Sequence, residues 1–73
     1  MNMEDVIKIV SEYLDVDNVK PESHLVDDLG ADEFDTIELI IKVEQSLGIK
    51  IPDADSDNVK TVQDLINVVQ GNQ

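Results

Sequence analysis

The sequence predicts an all-helical chain in the order helix, long loop, helix, short helix, helix. In three segments apolar side chains recur every three or four residues, which is the spacing of one buried helix face. The only short alternating run, 49–52, has no second strand to pair with and is interpreted as an extended connector. The 73 residues and absent cysteines predict one small domain, 1–73, that folds by apolar packing alone.

The first helix is expected from Met3 to Leu14, with Val6 and Val10 on its buried face. The following segment is rich in turn formers, and its Pro21 ends any helix. Apolar residues spaced through this long loop predict that it is pinned to the core: Val16, Val19, Leu25 and Leu29.

The second helix has start and stop signals in the sequence. Asp32 is a good N-cap with Asp35 as a capping-box partner, and Gly48 is a left-handed C-cap. Glu33 and Asp35 lie in the first turn, where the helix dipole favours negative charge. The predicted buried stripe comprises Leu39, Ile40, Val43 and Leu47.

Two further helices are expected after the connector. The range 54–59 predicts a short helix, and Thr61 with Asp64 resembles a second capping box. The last helix then extends to Gly71, with an apolar set of Val62, Leu65, Ile66, Val68 and Val69.

The charge excludes one broad class of function. Seventeen acidic residues against five basic ones give a net charge of −12, which opposes nucleic-acid binding through phosphate neutralisation. No apolar run approaches membrane-spanning length, and the N-terminus lacks the basic start of a signal peptide. A soluble, cytoplasmic protein is therefore expected.

The chain is not expected to be an enzyme. Paired carboxylates such as Asp32 with Glu33 occur, but acid–base catalysis needs two carboxyls in different environments within a cleft. A bundle this small offers none, and the carboxylates should be solvated. The single histidine, His24, argues against a histidine-based metal site or catalytic dyad.

An acidic stretch after Pro52 partly matches an EF-hand calcium loop. Lys60 replaces the usual aliphatic residue and Thr61 resembles a helix cap, so an acidic short helix is favoured and no metal site is assigned. A small calcium-responsive acidic domain remains an alternative. Its candidate ligands are Asp53, Asp55, Asp57 and Asp64.

Residues 29–39 read Leu-Gly-Ala-Asp-Glu-Phe-Asp-Thr-Ile-Glu-Leu. This segment resembles the attachment segment of acyl carrier proteins, which reads Leu-Gly-Ala-Asp-Ser-Leu-Asp-Thr-Val-Glu-Leu. The connector Ile49-Lys50-Ile51-Pro52-Asp53 and the start Thr61-Val62-Gln63 resemble that family at matching positions. The resemblance implies a four-helix acyl-carrier-like bundle with an adaptable apolar centre, a long loop between helices one and two and a short third helix.

The resemblance also implies a 4'-phosphopantetheine arm on the family serine, and Glu33 stands at that position. The transferase reaction needs a hydroxyl to form a stable phosphodiester, whereas a carboxylate would form an acyl phosphate that hydrolyses. No cofactor is therefore expected on this chain as written. Thr36, the nearest hydroxyl, matches a threonine of the family and is not expected to be modified.

The resemblance implies that the partners are basic surfaces of acyl-processing enzymes or of a holo-carrier transferase. The chain is expected to be a monomer. Two departures on the second helix, Lys42 and Gln45, are each interpreted as surface drift, although together with Glu33 they favour a paralogue outside the standard synthase cycle. The predicted partner-binding residues are Asp32, Phe34, Asp35, Ile37, Glu38, Ile41 and Glu44, with Val59 of the short helix beside them.

The predicted function is thus an acyl-carrier-like domain of fatty-acid or polyketide metabolism that acts by protein–protein docking. An alternative is a carrier whose attachment serine was replaced by engineering or drift while its other functions were kept. Glu33 could also imitate the anionic phosphodiester of a modified carrier, as a decoy or structural subunit would. The simpler interpretation, that glutamate is merely acceptable in a first helical turn, is favoured.

Overall fold

The computed structural model describes residues 3–73, and in this range four helices follow one another. They are α1 (Met3–Leu14), α2 (Glu33–Leu47), α3 (Asp53–Ser56) and α4 (Val62–Gly71). Helix α1 packs against both α2 and α4, and α3 packs against α4. Residues 3–73 contain no strand beyond one isolated antiparallel bridge between His24 and Thr61, which confirms the all-helical fold class.

One apolar core joins the helices and the connecting segments. The predicted stripes supply most of it, while Leu47 and Val68 are only half-buried at its edge. The buried set is Val6, Val10, Leu25, Ala31, Leu39, Ile40, Val43, Ile51, Val59, Val62, Leu65, Ile66 and Val69.

The long loop is fixed to the start of α4 by backbone hydrogen bonds. The N–H of Leu25 donates to the carbonyl of Lys60 at 2.9 Å, and the N–H of Val62 donates to the carbonyl of Ser23 at 3.0 Å. Leu25 is fully buried, and Val19 and Leu29 pack at the edge of the core. The expectation that the loop is pinned is therefore confirmed.

Both predicted caps of α2 are present. The side chain of Asp32 accepts from the N–H of Asp35 at 2.8 Å, and the side chain of Asp35 accepts from the N–H of Asp32 at 3.1 Å. At the other end Gly48 is left-handed with φ 65°, and its N–H donates to the carbonyl of Glu44. These local interactions place Glu33 at the first position of α2.

The short helix differs from its prediction. It was expected over 54–59, but α3 begins at Asp53 and ends at Ser56. Pro52 is extended and immediately precedes the helix, so α3 begins one residue earlier than predicted. Proline is tolerated at a helix start because the N–H that it lacks would have no partner within the helix. At the other end the N–H of Val59 donates to the carbonyl of Ser56 in a tight turn, which directs Val59 into the core.

Candidate functional site

The beginning of α2 borders a cleft between the long loop and the segment after α3. Glu33 is exposed there as the first residue of the helix. The cleft has a volume of about 470 Å³ and is lined by Val26, Ala31, Asp32, Glu33, Thr36, Asp57, Val59 and Lys60. Carboxylates therefore surround a partly apolar floor at the position that the resemblance assigns to the attached arm.

The residue at this position does not fit covalent attachment of phosphopantetheine. Glu33 offers a carboxylate where a stable phosphodiester requires a hydroxyl oxygen. The hydroxyl of Thr36 is half-buried and donates to the carbonyl of Asp32 at 3.1 Å. That hydroxyl serves the first helical turn and does not replace the missing serine.

One face of α2 exposes large apolar side chains. Phe34 is 74 % exposed, Ile37 is 54 % exposed and Ile41 is 38 % exposed. We call these three residues the apolar strip. Their spacing places them along one side of the helix, and the carboxylates of Glu33 and Glu38 are exposed nearby on the same helix. The predicted partner-binding residues on this side of α2 are therefore accessible.

Two predicted docking carboxylates have structural contacts instead of free, solvated side chains. Asp35 is half-buried and belongs to the α2 capping box. Glu44 is also half-buried, and its Oε2 accepts from the N–H of Ile51 at 2.7 Å. Asp32 combines both roles, because it is exposed and also caps α2.

The prediction for Val59 is wrong. Val59 was expected on the docking face of the short helix, but it lies beyond α3 and is only 4 % exposed. Its side chain packs in the core, since the chain turns inward after Ser56. Val59 therefore reaches the surface only as part of the floor of the cleft beside Glu33.

The two expected departures on α2 differ in position. Gln45 is exposed. Lys42, however, lines a separate cleft of about 410 Å³ between α1 and α2, together with Ile9, Glu12, Tyr13 and Ser46. The positive charge of Lys42 therefore borders the cleft beside α1.

The pKa of Tyr13 on α1 is affected by the negative charge at the beginning of α2. Partial burial, followed by the negative charges of Asp35, Glu38 and Asp32, raises the pKa of Tyr13 above its ordinary value. This proximity could not be predicted from local patterns, because it depends on how α1 packs against α2.

The four aspartates of the possible calcium loop are not brought together. The Asp64 carboxylate accepts from the N–H groups of Thr61 at 3.0 Å and Lys60 at 2.9 Å, which lowers its pKa. Asp55 accepts from the side-chain amide of Asn72 at 3.1 Å. In the described part of the chain, no three carboxylate or histidine side chains cluster closely enough to hold a metal ion. Asp53 and Asp57 are exposed on the turn of α3.

His24 has a structural role that the sequence did not reveal. Its Nδ1 accepts from the N–H groups of Val26 and Asp27, both at 3.2 Å. The carboxylate of Asp28 in turn accepts from the N–H of His24 at 2.6 Å. These contacts fix the turn that leads into Gly30 and α2.

A third cleft, between α2 and α3, was also missed. It has a volume of about 400 Å³, and we call it the α2–α3 groove. Ile41 was the available signal, because it is a large apolar residue outside the predicted buried stripe of α2 and is 38 % exposed. The lining of the groove consists of Ile37, Ile40, Ile41, Glu44, Lys50, Ile51, Asp53, Ser56 and Asp57.

No helix within residues 3–73 is both long enough and apolar enough to cross a membrane. The family model described as "Phosphopantetheine attachment site" matches residues 4–69. An acyl carrier protein of Helicobacter hepaticus is 40 % identical over 72 residues, covering 96 % of this chain and 95 % of the relative.

A solved structure from Mycobacterium tuberculosis, described as an acyl carrier protein, is also similar. It superposes with a TM-score of 0.88 at 31 % identity and covers 94 % of this chain and 95 % of its own. The long loop, the capped α2 and the short α3 thus occur in a fold shared with a carrier protein. The chain belongs to the phosphopantetheine-attachment family and is an acyl-carrier-protein-like domain.

Proposed function

We propose that this chain is a carrier-type docking domain of fatty-acid or polyketide metabolism that does not accept 4'-phosphopantetheine. It acts as a non-enzymatic monomer in the cytoplasm and contacts acyl-processing enzymes or a holo-carrier transferase. The observation that carries the proposal is the pairing of Glu33, exposed at the first position of α2, with the neighbouring apolar strip. The attachment chemistry is lost at Glu33, while the accessible surface beside it is kept.

The apolar strip supports the docking role. A Phe side chain that is 74 % exposed contributes little to the core, so its retention fits contact with another surface. The surrounding carboxylates attract basic partners and speed their encounter, while the apolar residues provide close contact. With a net charge of −12, association between two copies of the chain is opposed by repulsion.

A competition assay tests this proposal. The protein is added to a reaction in which a phosphopantetheinyl transferase modifies a serine-bearing acyl carrier protein. We expect inhibition that increases with the concentration of this protein, because both carriers present α2 to the same enzyme. Phe34→Ala should weaken the inhibition about fivefold, which corresponds to about 1 kcal/mol of lost contact.

Met3→Ala is the matched control, because Met3 is 43 % exposed but lies on α1. It should inhibit as the parent protein does. Absence of inhibition by the parent at saturating concentration, or equal loss in both variants, would contradict docking through the apolar strip.

A further inference from the structure

We infer that the hydrogen bond between Asn72 and Asp55, here called the latch, positions α3 against the end of α4. Because α3 leads directly into one wall of the cleft beside Glu33, the latch also sets the position of that wall. The inference goes beyond the proposed docking function and does not depend on it, since it concerns only how α3 is held.

Helix α3 has few attachments of its own to the rest of the bundle. None of its four residues is buried, and the N-cap Pro52 makes no side-chain hydrogen bond to the helix. The N–H of Ser56 donates to the carbonyl of Pro52 at 3.1 Å, and the N–H of Asp57 donates to the carbonyl of Asp53 at 3.0 Å. These bonds shape the helix, but they do not attach it to another element.

The charge of this segment opposes a compact helical turn. Asp53, Asp55 and Asp57 fall within a few residues of one another. Asp53 and Asp57 are four residues apart, which is the spacing at which like charges on a helix repel. A helix of one turn is also too short to be stable in isolation. A contact from outside α3 is therefore needed to hold it in place.

The side chain of Asn72 provides such a contact. Its Nδ2 donates to Oδ2 of Asp55 at 3.1 Å and to the carbonyl of Val68 at 2.8 Å. An amide nitrogen carries two donors, so one group both closes the end of α4 and reaches α3. Within residues 3–73 no other hydrogen bond joins α3 to α4 or to its cap. Asn72 and Asp55 are both half-buried, and a carboxylate is a strong acceptor.

The position of α3 affects two clefts. Asp57 follows α3 directly and lines the cleft beside Glu33. Asp53 and Ser56, at the two ends of α3, line the α2–α3 groove. A displacement of α3 would therefore change the shape of both clefts, although Asn72 lines neither of them.

Amide hydrogen exchange at the N–H of Asp57, followed by NMR, tests the inference, because the bond of this N–H to the Asp53 carbonyl closes α3. We expect Asn72→Ala to raise its exchange rate about fivefold through loss of the latch. Asn67→Ala is the matched control. It removes the acceptor of a hydrogen bond from Gln63 at 2.9 Å that stays within α4, so it should change the rate less than about twofold.

A reciprocal exchange of the two residues separates the latch from a general loss of stability. Asn72→Asp should also speed exchange, because two carboxylates then face each other. Adding Asp55→Asn restores a donor opposite an acceptor and should slow exchange about fivefold relative to Asn72→Asp alone. Asp53→Asn added to Asn72→Asp gives the same net charge without that donor, so it should slow exchange much less.

The effect on the cleft is measured separately, through the amide chemical shifts of Val26 and Thr36, which line it from the long loop and from α2. Asn72→Ala should change both shifts, and Asn67→Ala neither. Equal exchange rates in these two variants, or equal recovery by the two double variants, would overturn the latch. Unchanged shifts of Val26 and Thr36 in Asn72→Ala would overturn its effect on the cleft.

Discussion

Glu33 differs in two ways from the serine of the family. Its side chain has no hydroxyl, and it adds a negative charge to the beginning of α2. It stands directly after the N-cap Asp32, where the partial positive charge of a helix N-terminus favours an anion. Glutamate is therefore structurally favourable at this position. The proposed function adds that the same residue does not accept the arm.

The helix-dipole contribution of Glu33 can be measured. We expect Glu33→Gln to lower the free energy of unfolding by about 0.3–1 kcal/mol at low salt, because the anion at the first turn is lost. Urea unfolding provides the measurement. Glu38→Gln is the control, since Glu38 is also exposed on α2 but lies beyond the first turn. Equal changes in the two variants would contradict a dipole effect.

The Asp64 carboxylate should make the free energy of unfolding depend on pH. Backbone N–H groups of Thr61 and Lys60 hold its pKa below the ordinary value. Because the folded pKa is depressed, this stabilisation is fully present above the unfolded pKa of about 3.9 and is lost as the pH falls through the folded pKa. Acid therefore weakens the start of α4.

We expect Asp64→Ala to lower the free energy of unfolding by about 1 kcal/mol at pH 7, through loss of the capping box. The difference from the parent should shrink as the pH falls below about 4. Urea titrations across this range provide the test, with the exposed loop residue Asp17 changed to Ala as a control. A difference that stays constant down to the lowest pH would exclude the assigned role of the carboxylate.

At the scale of elements, local signals predicted α1, α2 and α4 well. The boundaries of α2 follow from the capping box formed by Asp32 and Asp35 and from the left-handed conformation of Gly48. Both signals involve only residues that are close in the sequence. The core stripes follow from helical spacing. What failed depended on packing between distant segments, because the inward turn of Val59 leaves no local pattern.

The end of α2 provides a test of backbone conformation. Gly48→Ala should destabilise the fold by about 1 kcal/mol, because φ is 65° and an L side chain is strained there. No atom lies within 4 Å of an added Cβ, so the cost is conformational and not a collision. Thermal and urea unfolding measure it.

Gly71→Ala is the internal control for this prediction. Gly71 also has open space around an added Cβ, but it does not have a positive φ. It should therefore change stability little or increase it slightly, because alanine is the better helix former. A comparable loss of stability in both variants would argue against strain at Gly48.

For the whole molecule, the dominant quantity is the net charge of −12. The Nδ1 of His24 lies 3.8 Å from the Asp27 carboxylate, but it accepts from two backbone N–H groups, so this contact does little to reduce the repulsion. This excess of negative charge therefore destabilises the compact state through self-repulsion. The same charge underlies the proposed attraction of basic partners.

We expect the melting temperature to rise as salt increases from low to moderate ionic strength, and more steeply with magnesium, because screening reduces self-repulsion. Calorimetry across a salt series measures the slope. Gln70→Lys reduces the net charge at an exposed position of α4 and should make that slope shallower. A melting temperature independent of salt would contradict the charge argument.

The central claim is that the fold is that of a carrier whose attachment position does not react. Intact mass spectrometry after incubation with coenzyme A and a promiscuous phosphopantetheinyl transferase tests it most directly, on the parent protein and on Glu33→Ser. We expect only Glu33→Ser to gain the mass of the arm. A modified parent protein would contradict it and direct attention to Thr36 or another hydroxyl.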